Sequence, residues 1–163
     1  MYVITGATGN TGHVLATRLL EAGQKVRVVS RSRERLQGFA DKNAEVAVAD
    51  LREESAVVRA FSDASAVFVM IPPSMTSSNY RAEQDQTSDV IATAIKKTGV
   101  PNVVSLSSVG ADKPDGTGPV AGLHYLEQRL NEIADLNALH LRPAYFMENT
   151  LTQVMPIRMM GVT

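Results

Sequence analysis

The chain has 163 residues, 44% of them hydrophobic and 20% charged, which is enough apolar material for one full core and too little charge for a disordered segment. Its formal net charge of -1 gives no basic field, so contact with nucleic acid or with an anionic membrane surface is not expected. Cysteine is absent, which removes disulfides, thiolate catalysis and zinc–cysteine sites together, and His13, His124 and His140 lack metal-ligand spacing.

The first element is a β-rich run, Tyr2-Val3-Ile4-Thr5. It meets Gly6, Gly9 and Gly12, spaced G-x-x-G-x-x-G, and an amphipathic pattern from His13 to Ala22 follows at once. Strand, tight glycine turn and helix N-terminus in that order form an anion site. One glycine permits the turn, one lets backbone approach a diphosphate, and one packs the helix on the strand, while the new helix aims free N–H groups and its positive dipole end at the ligand. A second strand, Lys25 to Val29, completes the βαβ setting that separates such a motif from an ordinary turn. Gly6-Ala7-Thr8-Gly9-Asn10-Thr11-Gly12 is therefore read as a dinucleotide loop. Thr11 is the expected N-cap, Gly23 the expected stop, and Val14, Leu15, Leu19 and Leu20 the buried stripe of the helix.

After the second strand comes Ser30-Arg31-Ser32-Arg33, with Arg35 close behind. A dinucleotide fold that binds NAD usually carries Asp or Glu here for the ribose 2′-hydroxyl, and that carboxylate repels a 2′-phosphate. Arg31 instead offers paired charge-assisted hydrogen bonds to phosphate, so NADP(H) is expected in preference to NAD(H). The alternative is that these arginines only solvate a helix face. Strand three, Glu45 to Ala49, ends at Asp50-Leu51, where the pair can contact adenine or Asp50 can cap the next helix, Glu53 to Phe61. Strand four, Ala66 to Ile71, is a continuous apolar run, as a strand covered on both faces requires, and Pro72-Pro73 turn the chain across the sheet's carboxyl edge. A helix from Asn79 to Thr98 presents Val90, Ile91, Ala94 and Ile95, and strand five spans Asn102 to Leu106. A loop from Ala111 to Pro119 precedes a helix, Ala121 to Asp135. Leu139-His140-Leu141 is a short sixth strand, and a helix-like piece from Thr150 to Met155 leads to Pro156.

This alternation specifies an α/β fold with a doubly wound parallel sheet of the Rossmann type, and right-handed crossovers make 3-2-1-4-5-6 the expected strand order. Residues 1–150 are expected to form the NAD(P)-binding domain, and residues 151–163 the start of a substrate domain whose remainder is missing. Because the chain begins inside its first strand and no apolar run reaches membrane-spanning length, the expected compartment is the cytoplasm.

In Thr5 to Gly12, Arg31, Asp50-Leu51, Ser105-Leu106-Ser107-Ser108 and Leu141-Arg142-Pro143-Ala144-Tyr145-Phe146-Met147-Glu148-Asn149, the chain resembles the NmrA-like group of atypical short-chain dehydrogenases, which includes quinone and triphenylmethane reductases. The resemblance implies that Gly6 to Gly12 hold the diphosphate and Arg31 the 2′-phosphate. It likewise implies that Ile71 and Pro72 flank the ribose, and Pro143, Tyr145 and Phe146 the nicotinamide end. The resemblance implies a protein roughly twice this length, so the alternatives are a fragment, a truncated chain, or a protein completed by a partner chain, a homodimer through the apolar tail among them.

Short-chain dehydrogenases use a tyrosine and a lysine one helical turn apart. Here Tyr125 and Arg129 stand four apart, and the cation can favour a tyrosinate, or Tyr125 can simply pack at the edge of the Leu123-Leu126-Leu130-Ile133 stripe. His124 resembles a histidine of quinone-reductase-like relatives, and an imidazole can donate a proton to a reduced quinone, although a packing role is open to it. Ser107 and Ser108 can hydrogen-bond a substrate oxygen or cap loop carbonyls. The expected function is NADPH-dependent hydride transfer to a quinone or similar planar acceptor. The alternatives are a non-catalytic NADP redox sensor, as the resemblance also allows, and a bare cofactor-binding fragment.

Overall fold

The computed structural model describes residues 1–73 and 77–161. Its six strands are β1 (Tyr2–Thr5), β2 (Val26–Ser30), β3 (Glu45–Val48), β4 (Ala66–Val69), β5 (Asn102–Leu106) and β6 (Asn137–Leu141). They pair in parallel in the order β3-β2-β1-β4-β5-β6, the order expected from right-handed crossovers. The helices between them are α1 (Asn10–Glu21), α2 (Gln37–Ala40) behind a 3₁₀ turn (Glu34–Leu36), α3 (Glu54–Phe61), α4 (Tyr80–Thr98) and α5 (Val120–Asn131).

Two cores result, one on each face, because successive strand residues point to opposite sides. Val3, Val29, Val67, Val69 and Val103 meet α3, α4 and α5 through Val57, Phe61, Ile91, Ile95, Leu126 and Leu130. On the other face Ile4, Val26, Val28 and Phe68 gather with Ala16, Leu36 and Phe39. Leu15, Leu19 and Leu20 pack against that second core, but Val14 is 59% exposed, since the α1 face is narrower than its apolar sequence suggests. Leu139 and Leu141 of β6 are 57% and 42% exposed. They share a face with Val104 and Leu106 of β5, on the side of the sheet where α1 and α2 pack further along.

Several element ends differ from the sequence reading, each for a local reason. Helix α1 starts three residues early: its N-cap is Gly9, and Thr11 lies inside the first turn, so it caps nothing. Gly23 does end it, at φ +70, with Gly23 N–H donating to Leu20 O and Gln24 N–H to Leu19 O in a Schellman arrangement. Asn79 caps α4 by accepting from Ala82 N–H at 3.2 Å. Helix α5 stops at Asn131, short of Asp135, whose φ of +61 lies in the left-handed region. Helix α6 (Val154–Met160) follows a 3₁₀ segment (Met147–Gln153) and runs through Pro156, which sits in the first turn, where no intrahelical N–H is needed.

Candidate functional site

The carboxyl ends of four strands and one face of α4 enclose a cleft of about 600 Å³. It lies where the order reverses between β1 and β4, the place at which open α/β sheets bind ligands. Gly6 and Thr8 enter from β1, Ser30 to Ser32 from β2, Asp50 to Arg52 from β3, and Met70 to Pro73 from β4.

The glycine loop has distinct geometry at each glycine. Gly6 adopts φ +65, and a Cβ there would meet the Met70 side chain. At Gly12 a Cβ would overlap the carbonyl oxygen of Gly6, so only glycine lets α1 pack this closely on the turn. Gly9 differs: a Cβ would meet only the Gly6 carbonyl oxygen, at 3.4 Å, leaving the space over it open. The first intrahelical bond of α1 is from His13 N–H to Gly9 O, at 2.9 Å, so the amides of Asn10, Thr11 and Gly12 have no intrahelical acceptor. An open cradle under free amides at a helix N-terminus fits a diphosphate. Ala7, wholly buried, holds the turn against the second core.

At the β2 end, Arg31 lines the cleft and has no ion-pair partner among the described residues. Arg35 joins it, reaching back to the Thr8 carbonyl at 3.4 Å, while Arg33 does not line the cleft. Asp50 also faces the cleft. Its Oδ1 accepts from the backbone and Nε of Arg52, both at 3.0 Å, and its Oδ2 from Nη2 at 2.8 Å. The alternative role of Asp50 as a helix cap does not hold, because the N-cap of α3 is Glu53. The Arg52 guanidinium and backbone N–H, together with the charge of Arg31, outweigh desolvation and lower the Asp50 carboxyl to about 2. Asp50 is thus ionised, and its hydrogen bonds come from Arg52, with Arg31 acting only through its charge. Leu51, Ile71 and Pro72 line the same wall.

Helix α4 contributes a floor that the sequence reading missed: Tyr80, Glu83, Gln84 and Thr87. Gln84, Thr87 and Ser88 are buried polar residues continuing the Ile91-Ile95 stripe toward the helix start, which is the signal that marks them. Gln84 crosses to α5, where Nε2 donates to the Pro119 carbonyl at 3.0 Å, and the absence of a Cβ at Gly122 makes the room.

The residues expected to serve the acceptor lie outside this cleft. The Tyr125 hydroxyl donates to Asp89 Oδ1 at 3.0 Å, and Arg129 Nε donates to the same oxygen at 2.8 Å. Burial and the Asp89 carboxylate therefore push the phenol up, against the smaller opposing pull of Arg129. The tyrosinate expected from a Tyr125–Arg129 pair is thus corrected: Asp89 stands between them. His124 Nδ1 donates to the Ala111 carbonyl at 2.8 Å, since a carbonyl only accepts, and this leaves Nε2 as its second nitrogen for other work. Ser107 donates to Glu127, and Ser108 to the Val109 carbonyl. Pro143, Tyr145 and Phe146 follow β6, with Tyr145 57% and Phe146 36% exposed, and do not line the cleft.

No helix among the described residues is long and apolar enough to cross a membrane, and no group of metal-binding side chains occurs among them.

A family described as NAD(P)H-binding matches residues 6–156. Over 166 aligned residues the chain is 32% identical to the (4-alkanoyl-5-oxo-2,5-dihydrofuran-3-yl)methyl phosphate reductase of Streptomyces griseus, covering 99% of this chain and 54% of the relative. The structure of Citrobacter sp. triphenylmethane reductase complexed with NADP(H) superposes with a TM-score of 0.81 at 20% identity, covering 92% of this chain and 51% of that one. The NADPH-dependent quinone oxidoreductase of Escherichia coli, complexed with NADPH, gives 0.80 at 22% identity, covering 99% of this chain and 55% of that one. The chain thus spans about half the length of the proteins it matches, and the two structures establish the fold. The match and these neighbours agree with the NmrA-like resemblance carried by the glycine loop and the Arg142-Pro143 segment. The chain belongs to the NAD(P)H-binding family.

Proposed function

We propose that this chain is the cofactor-binding part of a reductase that uses NADPH in preference to NADH to reduce a quinone or a similar planar acceptor. The observation that carries this is Arg31. It stands at the end of β2, between the hydroxyls of Ser30 and Ser32, on the wall of the cleft and free of any carboxylate partner among the described residues. A guanidinium so placed suits a 2′-phosphate, and the neighbouring carboxylate, Asp50, is neutralised by Arg52 and does not repel it.

The nucleotide, once bound, supplies the hydride. The protein's contribution is to bind and orient. The amides of Asn10 to Gly12 take the diphosphate, Leu51 and Asp50 flank the adenine, and Ile71 and Pro72 flank the ribose. Ser107, His124 and the Pro143-Tyr145-Phe146 segment belong to the end where the acceptor arrives; with Nδ1–H held by the Ala111 carbonyl, His124 passes a proton from Nε2 only as the imidazolium. The reductase names of the Streptomyces, Citrobacter and Escherichia proteins support this choice of chemistry.

A second possibility is an NADP redox sensor without turnover. It is favoured by the hydroxyls of Tyr125 and Ser107, both of which are committed to carboxylates. Following absorbance of the reduced nicotinamide while a small quinone is added to the chain with NADPH separates the two. Quinone-dependent oxidation is expected, and tight binding without oxidation would favour the sensor.

A further inference from the structure

The ends of β5 and β6 and the middle of α5 converge on one carboxylate, away from the cleft. Glu127 is 2% exposed and Ser107 5%. Glu127 Oε1 accepts from Ser107 Oγ at 2.5 Å and from Arg142 Nε at 3.0 Å, and its Oε2 accepts from Arg142 Nη2 at 2.5 Å. Beyond the strand ends the ladder continues, with Ser107 N–H donating to Leu141 O at 2.7 Å and Val109 N–H to Pro143 O at 3.0 Å. His124 lies one turn before Glu127 on α5. The segments that carry Ser107, His124 and Arg142 to Phe146 are therefore tied to one side chain.

The protonation of this cluster follows from its donors. Desolvation favours the neutral acid at Glu127, but the Arg142 guanidinium and the Ser107 hydroxyl outweigh it and hold the carboxyl below its usual range. An ionised carboxylate only accepts, and a serine hydroxyl has one hydrogen. That hydrogen is given to Glu127, so Ser107 has only lone pairs left to offer a ligand.

We propose that Glu127 is a positioning residue for the nicotinamide end of the site: it fixes Ser107 as an acceptor for an N–H or O–H of bound NADP(H) and anchors the Arg142–Phe146 segment beside it. This rests on the NADP-binding reading above. The nicotinamide half of the cofactor carries such donors in its carboxamide and ribose hydroxyls. A quinone carbonyl is itself an acceptor and gains nothing from Ser107.

Affinities of NADPH and of 2′,5′-ADP, which has the adenosine and 2′-phosphate but no nicotinamide half, test this in the wild-type chain, S107A, E127Q and the double variant. S107A and E127Q should each weaken NADPH roughly tenfold, the scale of one lost hydrogen bond involving a charged network, and leave 2′,5′-ADP within about twofold. Because the two share one hydrogen bond, adding E127Q to S107A should weaken NADPH by less than E127Q does in the wild-type chain, the remainder being the loss of the Arg142 anchor. Equal weakening of both ligands in E127Q, or full additivity in the double variant, would overturn the proposal. S107A keeps the Glu127–Arg142 pair and stands as a test even if E127Q does not fold: unchanged NADPH affinity there overturns the inference alone. Failure of 2′,5′-ADP to bind the wild-type chain would instead sink the cofactor reading beneath it.

Discussion

Asp50 sits among the three arginines that line the cleft, and Arg52 takes both of its oxygens. Its pKa of about 2 in the folded chain lies below the usual 3.8, so the unfolded chain binds more protons between those values. The stability it contributes is present above pH 3.8 and is lost as the pH falls toward 2. D50N should flatten the loss of stability in that window, measured by urea denaturation at a series of pH values; an unaltered slope would mean that another carboxylate controls it. At Tyr125 the hydroxyl serves Asp89, and Y125F should cost about 0.5–1.5 kcal/mol of stability, the usual net value of one hydrogen bond, while NADPH affinity stays unchanged. If Y125F kept its stability and abolished quinone reduction, the phenol would be the acid after all. The roles of single residues were the least legible part of the sequence. Tyr125 and Arg129 have the spacing of a catalytic pair, and the sequence shows nothing of Asp89, on another helix, whose Oδ1 takes the hydrogen bonds of both. Ser107 likewise shows nothing of Glu127 or Arg142, which lie 20 and 15 residues away from the contacts they make.

Elements were far more legible, because periodicity reports which face is covered. The Val90-Ile91-Ala94-Ile95 face of α4 and the apolar run of β4 lie in the core, as their patterns require. Where the pattern misled, at Val14 and at the sixth strand, an apolar residue met no covering element among the described residues. Stability should reflect this difference. Ile91, wholly buried, should cost about 2–5 kcal/mol when replaced by alanine, whereas L139A, at a position 57% exposed, should stay within about 0.5 kcal/mol. Chemical denaturation of the two variants compares them directly, and a large loss in L139A would mean that β6 is covered in solution. The cleft itself was only half legible. Glycine spacing and strand ends identify Gly6, Arg31, Asp50 and Leu51, but the α4 floor of Gln84 and Thr87 was hidden in a helix read only for its apolar face.

For the whole molecule, the parallel sheet delivers every strand's carboxyl end to one edge, so residues from β1, β2, β3 and β4 meet in one cleft although they are far apart in sequence. The same arrangement separates the nucleotide cleft from the Ser107–Glu127–Arg142 cluster at the ends of β5 and β6. The central claim concerns the first of these sites, where Arg31 selects the phosphorylated nucleotide. It is tested most directly by titrating the wild-type chain and R31E with NADPH and with NADH, following nucleotide fluorescence. The wild type should prefer NADPH by roughly tenfold or more, the scale of one to two charge-assisted hydrogen bonds, and R31E should lose that preference while still binding NADH. An NADPH-to-NADH ratio that is the same in both proteins would contradict the assignment of Arg31.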